Sequence, residues 1–174
     1  GGVGLLTIMA AKASGAYPII AVDIWESRLR AAEHAGASKV LNASSNSDLA
    51  GEIRNELGGS PDVIVEASGA RAMIELAYNL AQPSGRAILV GVPNVNEPAS
   101  IETLPLHFGM VFTGSKGGST KPELDIPRLI KMAEIGLYPV QDIPVTVYPL
   151  SEVNEAFTAL RAGEAGRMVI ECGS

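Results

Sequence analysis

Cysteine is nearly absent from this chain. Cys172 is the only one, so no internal disulfide can form, and stability has to come from a buried core. A reducing, cytoplasmic setting fits that usage. Basic residues are also scarce: 13 Lys and Arg against 19 Asp and Glu give a formal charge of −6, which excludes the clustered cations of a nucleic-acid surface. No run of about 18 apolar residues occurs, so no membrane partner is expected. No secretory pattern precedes the first helical segment. A Gly-x-Ser-x-Gly elbow, a His-Glu-x-x-His pair and a phosphate loop ending in Gly-Lys-Ser/Thr are all missing, which removes the main support for hydrolase and phosphoryl-transfer chemistry. There is no Cys-x-x-Cys, and the two histidines, His34 and His107, read as structural or surface residues. No metal ligand and no catalytic acid, base or nucleophile is assigned within the chain.

What remains is rich in apolar residues and short connections. Hydrophobic residues make up 47% of 174 positions, enough for a sizeable core, and the 19 glycines and 11 prolines are spread without a low-complexity block. Apolar spacing predicts a helix over 5–14 and a strand over 19–22 ending on Asp23. A helix over 26–36 stopped by Gly36, a strand over 39–42, and a helix over 47–57 capped by Ser47 and stopped by Gly58 follow. A strand over 62–66, a helix over 70–81, a turn over 82–85 and a strand over 86–92 continue the rhythm. Met110 to Gly114 reads as a further strand, and a helix over 125–135 takes Pro127 in its first turn. The tail has an extended run over 144–148, a helix capped by Ser151 and a strand over 167–171. Alternation of this kind predicts an α/β fold with a doubly wound parallel sheet of the Rossmann type. The tail carries too few apolar residues for a core of its own and is expected to pack on an element outside the chain.

The opening is the most informative segment. Gly1-Gly2-Val3-Gly4 leads directly into a helix, and the next strand ends on an acid. In the dinucleotide fingerprint G-x-G-x-x-G, the second glycine lets backbone approach a pyrophosphate and the third lets helix pack on strand. An acid about 20 residues later accepts from ribose hydroxyls. Gly1 and Gly4 fit the second and third glycines, and Asp23 lies 19 residues beyond Gly4. The first glycine and the strand before it are missing, so the first strand of the fold is truncated and the chain is expected to be the downstream part of a longer protein. Amides of Gly1, Gly2 and Gly4 at a helix start would receive phosphate. Asp23 would need donors, which a ribose diol supplies, whereas a 2′-phosphate would be repelled, favouring NAD over NADP. A glycine-rich turn and a helix-capping aspartate are the competing readings. Ser68 and Gly69 follow one strand, and Val90, Gly91 and Val92 close another, at the carboxyl ends where ligands collect in open α/β sheets.

Taken with Ala21-Val22-Asp23, Gly36-Ala37, Val65-Glu66-Ala67-Ser68-Gly69, Val90-Gly91-Val92-Pro93, Gly114-Ser115, and Tyr148-Pro149-Leu150 leading through Asn154-Glu155-Ala156-Phe157 to Gly166-Arg167, the opening resembles the zinc-type alcohol dehydrogenases of the medium-chain dehydrogenase/reductase superfamily. The resemblance runs over essentially the whole chain. It implies a cofactor domain over 1–120, a connecting helix over 121–139, and a segment over 140–174 that returns to complete a GroES-like catalytic domain.

By that resemblance, Val3 lies under the nicotinamide face, Arg28 approaches the adenosine half, and Arg167 contacts the cofactor phosphates. Backbone groups at Val90, Ser115 and Gly117 hold the carboxamide. A core valine, a solvated helix arginine and a surface arginine beside Glu164 are the ordinary alternatives. Zinc ligands would lie outside this chain. Val147 stands where the family often has His, which leaves the closer subfamily open. The stretch from Pro93 to Thr113 corresponds to a dimer-forming edge, so a homodimer or homotetramer is expected. The implied function is an NAD-dependent zinc alcohol or polyol dehydrogenase acting on a small alcohol or carbonyl compound, with this piece alone inactive. A Rossmann-type S-adenosylmethionine methyltransferase and a noncatalytic dinucleotide-sensing module are the alternatives.

Overall fold

Helices and parallel strands alternate along the chain in a computed structural model that describes residues 1–173. In chain order the elements are α1 (Gly2–Ala13), β1 (Ile20–Asp23), α2 (Glu26–Ala35), β2 (Lys39–Asn42), α3 (Leu49–Leu57), β3 (Val63–Glu66), α4 (Arg71–Leu80), β4 (Arg86–Leu89) and β5 (Val111–Gly114). These are followed by α5 (Pro122–Glu134), β6 (Val145–Pro149), α6 (Val153–Arg161) and β7 (Arg167–Glu171). All strand pairs are parallel: β1 with β2, β4 between β3 and β5, and β6 with β7. The α/β class and the parallel pairing expected from the alternation are both present.

The chain divides into two compact units, one of residues 1–47 with 122–174 and one of residues 48–121. In the first unit, Leu5, Ile8 and Met9 of α1 pack with Ala32 and Ala35 of α2 and with Tyr138, and Ile19, Ala21 and Val40 border that core. Burial of each large apolar side chain contributes about 1.5–3 kcal/mol, so this helix pair is what keeps β1 and β2 covered. The Tyr138 hydroxyl donates to the Leu6 carbonyl at 3.1 Å, and burial raises its pKa above the usual tyrosine value. Residues of β6 and β7 are mostly exposed, with Val145, Val147 and Val169 all open to solvent, as a tail without its own core requires.

In the second unit, Ala77 and Tyr78 of α4 pack on Ala87 of β4 and on Met110. Tyr78 meets Phe112 edge to face at a centroid distance of 5.1 Å, and its hydroxyl donates to the Glu102 carbonyl. Glu75 accepts from the Ser100 amide at 2.8 Å and from Arg71 at 3.0 Å. The Ser100 amide first, and then Arg71, holds its carboxyl below the ordinary glutamate value. These bonds fasten the irregular stretch after β4 onto α4.

Several expected boundaries move. The α3 cap is Asp48, which accepts from the Gly51 amide at 2.9 Å, and Ser47 lies outside it. A carboxylate one residue nearer the helix, on a longer arm than the serine hydroxyl, reaches the orphan amide that Ser47 would have to span to. Helix α5 starts at Pro122, so Pro127 falls inside it rather than in its first turn. Having no N–H, Pro127 costs the bond to the carbonyl four residues back. A short 3-10 turn, Leu150–Glu152, takes up Ser151, and α6 begins after Glu152 with no side-chain cap. Strand β4 stops at Leu89, which leaves Val90 to Val92 in the loop beyond it.

Candidate functional site

The residues singled out by the sequence fall in both units. In the first, Leu5 makes the earliest helical bond, to the Gly1 carbonyl at 3.1 Å, so the amides of Gly2, Val3 and Gly4 precede the helical ladder at the positive end of α1. Asp23 closes β1. Its Oδ1 accepts from the amides of Ile24 at 2.8 Å and Trp25 at 3.1 Å, which shapes the turn into α2. Its Oδ2 stands 3.9 Å from the Gly1 nitrogen. One oxygen of Asp23 therefore organises the turn ahead of α2, whose N-cap is Trp25 with no side-chain cap, and the other faces the glycine opening.

Arg28 comes from the first turn of α2. The Arg28 Nε is buried with no hydrogen-bond partner, a donor that a ligand would satisfy. Arg167 begins β7 and crosses over Gly2, where a Cβ would come within 2.7 Å of its Nε. The structure thus gathers Gly1, Gly2, Asp23, Arg28 and Arg167. Val3 is half exposed on the first turn of α1, and a side chain at Gly4 would meet open space, so the close packing served by a third glycine is not made among the described residues.

A clasp that the sequence reading missed positions Arg167. Trp25 packs on Gly163, leaving no room for a side chain there, and Ser27 Oγ donates to the Gly163 carbonyl at 2.9 Å. The only signal was a lone tryptophan after the strand-ending acid and a glycine pair, Gly163 and Gly166, just before the returning arginine.

In the second unit, the register Glu66↔Leu89 and Leu89↔Gly114 brings the carboxyl ends of β3, β4 and β5 to one edge. Segments 67–69, 90–92 and 115–117 leave the sheet there. Gly69 has φ of +74°, and a Cβ on it would collide with the Val92 carbonyl. A Cβ on Gly91 would collide with the Gly69 amide and lie 2.8 Å from Glu66 Oε2. Amides of Val90 and Gly91 donate to the Glu66 carbonyl at 2.8 and 2.9 Å. The backbones of Ser68-Gly69 and Val90 to Val92 therefore approach closely in one corner, with the Val92 side chain exposed. Ser115 donates to the Leu89 carbonyl at 2.8 Å and its Oγ accepts from Gly118 at 3.1 Å, with Gly117 at φ of +56° in the turn.

Glu66 is the residue in this corner that the sequence reading did not single out. It is 5% exposed. Its Oε1 accepts from the Ser68 amide at 2.7 Å, from the Ser68 hydroxyl, and from the Gly69 amide at 3.0 Å, which also lies 3.1 Å from Oε2. A carboxylate closing an apolar strand pattern just before Ala-Ser-Gly was the available signal.

No group of three or more His, Cys, Asp or Glu among the described residues is placed to hold a metal ion. His34 bonds its own helix at the Arg30 carbonyl, and His107 lies in a short 3-10 turn, Leu104–Phe108. For a dinucleotide the fit is better. Free amides at a helix start suit a diphosphate, the open Asp23 oxygen suits a sugar diol, and the unpartnered Arg28 Nε suits an oxygen acceptor.

Residues 2–134 match the family described as zinc-binding dehydrogenase. Among solved structures, the chain is similar to benzyl alcohol dehydrogenase from Acinetobacter calcoaceticus, with 30% identity and a TM-score of 0.90 over 98% of this chain and 47% of that one. An alcohol dehydrogenase zinc-binding domain protein from Burkholderia ambifaria also has 30% identity and a TM-score of 0.90, covering 100% of this chain and 47% of that one. A short chain alcohol dehydrogenase from E. coli CFT073, solved with NADH, shares the fold at 21% identity and a TM-score of 0.80, over 99% of this chain and 50% of that one. The chain spans about half the length of the solved structures that it matches.

Proposed function

Because this chain belongs to the zinc-binding dehydrogenase family, we propose that it is the cofactor-binding part of an NAD-dependent alcohol or polyol dehydrogenase. The observation that carries the reading is the Asp23 carboxylate, which holds the turn with one oxygen and turns the other toward the Gly1 nitrogen at the start of α1. A carboxylate so placed binds a ribose diol by two hydrogen bonds and repels a 2′-phosphate, so NAD is the cofactor. The amides of Gly2, Val3 and Gly4 receive the diphosphate, helped by the helix dipole. Arg28 and Arg167 add positive charge, and Val3 offers an apolar surface to the ring. Backbone groups of Ser68, Gly69, Val90, Gly91, Val92, Ser115 and Gly117 orient the nicotinamide half. A bound nicotinamide would supply hydride-transfer chemistry, and zinc, which would be held by ligands outside this chain, would supply Lewis acidity toward the alcohol oxygen.

In this proposal residues 1–120 are the cofactor domain, 121–139 the connection, and 140–174 the part that completes a catalytic domain. The intact protein is a cytoplasmic homodimer or homotetramer acting on a small alcohol or carbonyl compound. Among the described residues, no helix is long and apolar enough to cross a membrane. Calorimetry of the full-length protein against NADH, NADPH and S-adenosylmethionine is the test. NADH is expected to bind, NADPH at least tenfold more weakly, and S-adenosylmethionine not at all. Binding of S-adenosylmethionine without NADH would establish the methyltransferase alternative. Alcohol-dependent NAD reduction at an enzymatic rate by the 174-residue chain alone would overturn the division of labour proposed here.

A further inference from the structure

Glu66 is the only buried polar or charged side chain among the described residues, and the dinucleotide reading assigns it no task. Burying a carboxylate is costly unless its oxygens are satisfied, and here the satisfaction is entirely local. Two backbone amides and one hydroxyl from the two-residue segment Ser68-Gly69 converge on it. Ser68 Oγ in turn accepts from the Ala70 amide at 3.1 Å, so the donors of three successive residues are all turned inward. From the other side, the backbone of Gly91 sits so close to Glu66 Oε2 that only hydrogen fits at its Cα, and the Glu66 carbonyl receives the Val90 and Gly91 amides. One residue therefore sets the path of two segments at the carboxyl edge of the sheet, one through its side chain and one through its backbone.

We propose that Glu66 is a positioning residue for the cofactor: its carboxylate fixes the Ser68-Gly69 corner, with donors inward, in the shape that the nicotinamide half of a dinucleotide requires. This rests on the dinucleotide reading above. With its amides and hydroxyl consumed by Glu66, the corner is not an anion site, unlike the start of α1. It meets its ligand through groups other than those donors. Charge-assisted bonds to backbone amides are stronger than neutral ones, which is why an ionised acid suits this position better than an amide side chain of equal size. Gln at this position keeps one acceptor but sets an NH₂ group against N–H donors.

The test uses the full-length protein and two variants, Glu66→Gln and Glu66→Asp, each titrated with NADH and followed by amide hydrogen exchange. Glu66→Gln is expected to bind NADH at least tenfold more weakly and to exchange amides 67–70 faster, while β3 and β4 keep their protection. Glu66→Asp, which retains the charge on a shorter arm, is expected to recover part of the affinity and serves as the variant to read if Glu66→Gln does not fold. Wild-type affinity in a folded Glu66→Gln protein, or weakened binding with no change in exchange at 67–70, would overturn the positioning role. Wild-type protein that binds no NADH would overturn the dinucleotide reading and this inference with it.

Discussion

Asp23 and Glu66 both close short strands of parallel pairs, and both are followed by a tight turn into a helix, yet their carboxylates end in opposite situations. Asp23 spends one oxygen on the next two amides and keeps the other open, with 23% of the side chain exposed. Glu66, one methylene longer, folds back under its own turn, is 5% exposed, and has its oxygens engaged by Ser68 and Gly69. An acid at a strand end is thus left with a free oxygen, which the proposed function gives to a ligand, or becomes a brace for backbone, according to whether the turn beyond it consumes its lone pairs. The first unit carries side-chain charge and unpaired helix-start amides, and the second a backbone corner whose shape is set from beneath.

Breaking the brace has the largest expected effect. Gly91→Ala drives a Cβ into the Gly69 amide and against Glu66 Oε2, and urea denaturation of the full-length protein is expected to show a loss on the order of 3 kcal/mol, the upper end for overpacking. Unchanged stability would mean that the corner yields easily.

Removing the open carboxylate comes next. Asp23→Asn is expected to weaken NADH by roughly tenfold, about 1.4 kcal/mol, and to raise the preference for NADPH, with little change in melting temperature. A change in melting temperature without a change in affinity would make Asp23 a second brace and erase the comparison.

Tyr138→Phe deletes a hydroxyl that donates to the Leu6 carbonyl, so a loss of about 1 kcal/mol is expected, confined in hydrogen exchange to the first unit. The smallest effect concerns Glu75. Its folded pKa is depressed below 4.5 by the Ser100 amide and then Arg71, so its contribution is present above that value and fades as pH falls through the folded pKa. Thermal melts on an acid series should show a shallower loss in Glu75→Gln than in wild type.

Most of the fold was legible because its signals are local. Gly36 and Gly58 ended α2 and α3 in left-handed geometry, and the 39–42 and 167–171 strands appear with the bounds that spacing gave. The misplaced boundaries are cases in which neighbouring residues compete for one role. Ser47 and Asp48 both cap well, and the choice depends on which side chain meets the Gly51 amide. Pro122 and Pro127 both suit a helix start, and the earlier one takes it at the cost of a lost bond within α5. In the candidate site, the Gly1 to Asp23 pattern could be proposed from sequence because it spans one helix and the strand that follows it. The Trp25 and Gly163 clasp was not, because its partners lie far apart in sequence and nothing in either neighbourhood names the other.

The sequence by itself determined the alternation of helices and strands, the places where the chain turns, and the family, since periodicity, glycine position and ordered motifs are properties of neighbours. Only the tertiary structure decided which strand-ending acid is left open to a ligand and which is spent on its own backbone. That outcome depends on where amides from a turn point in space, and hydrogen-bond satisfaction is a matter of distance and direction that composition does not encode.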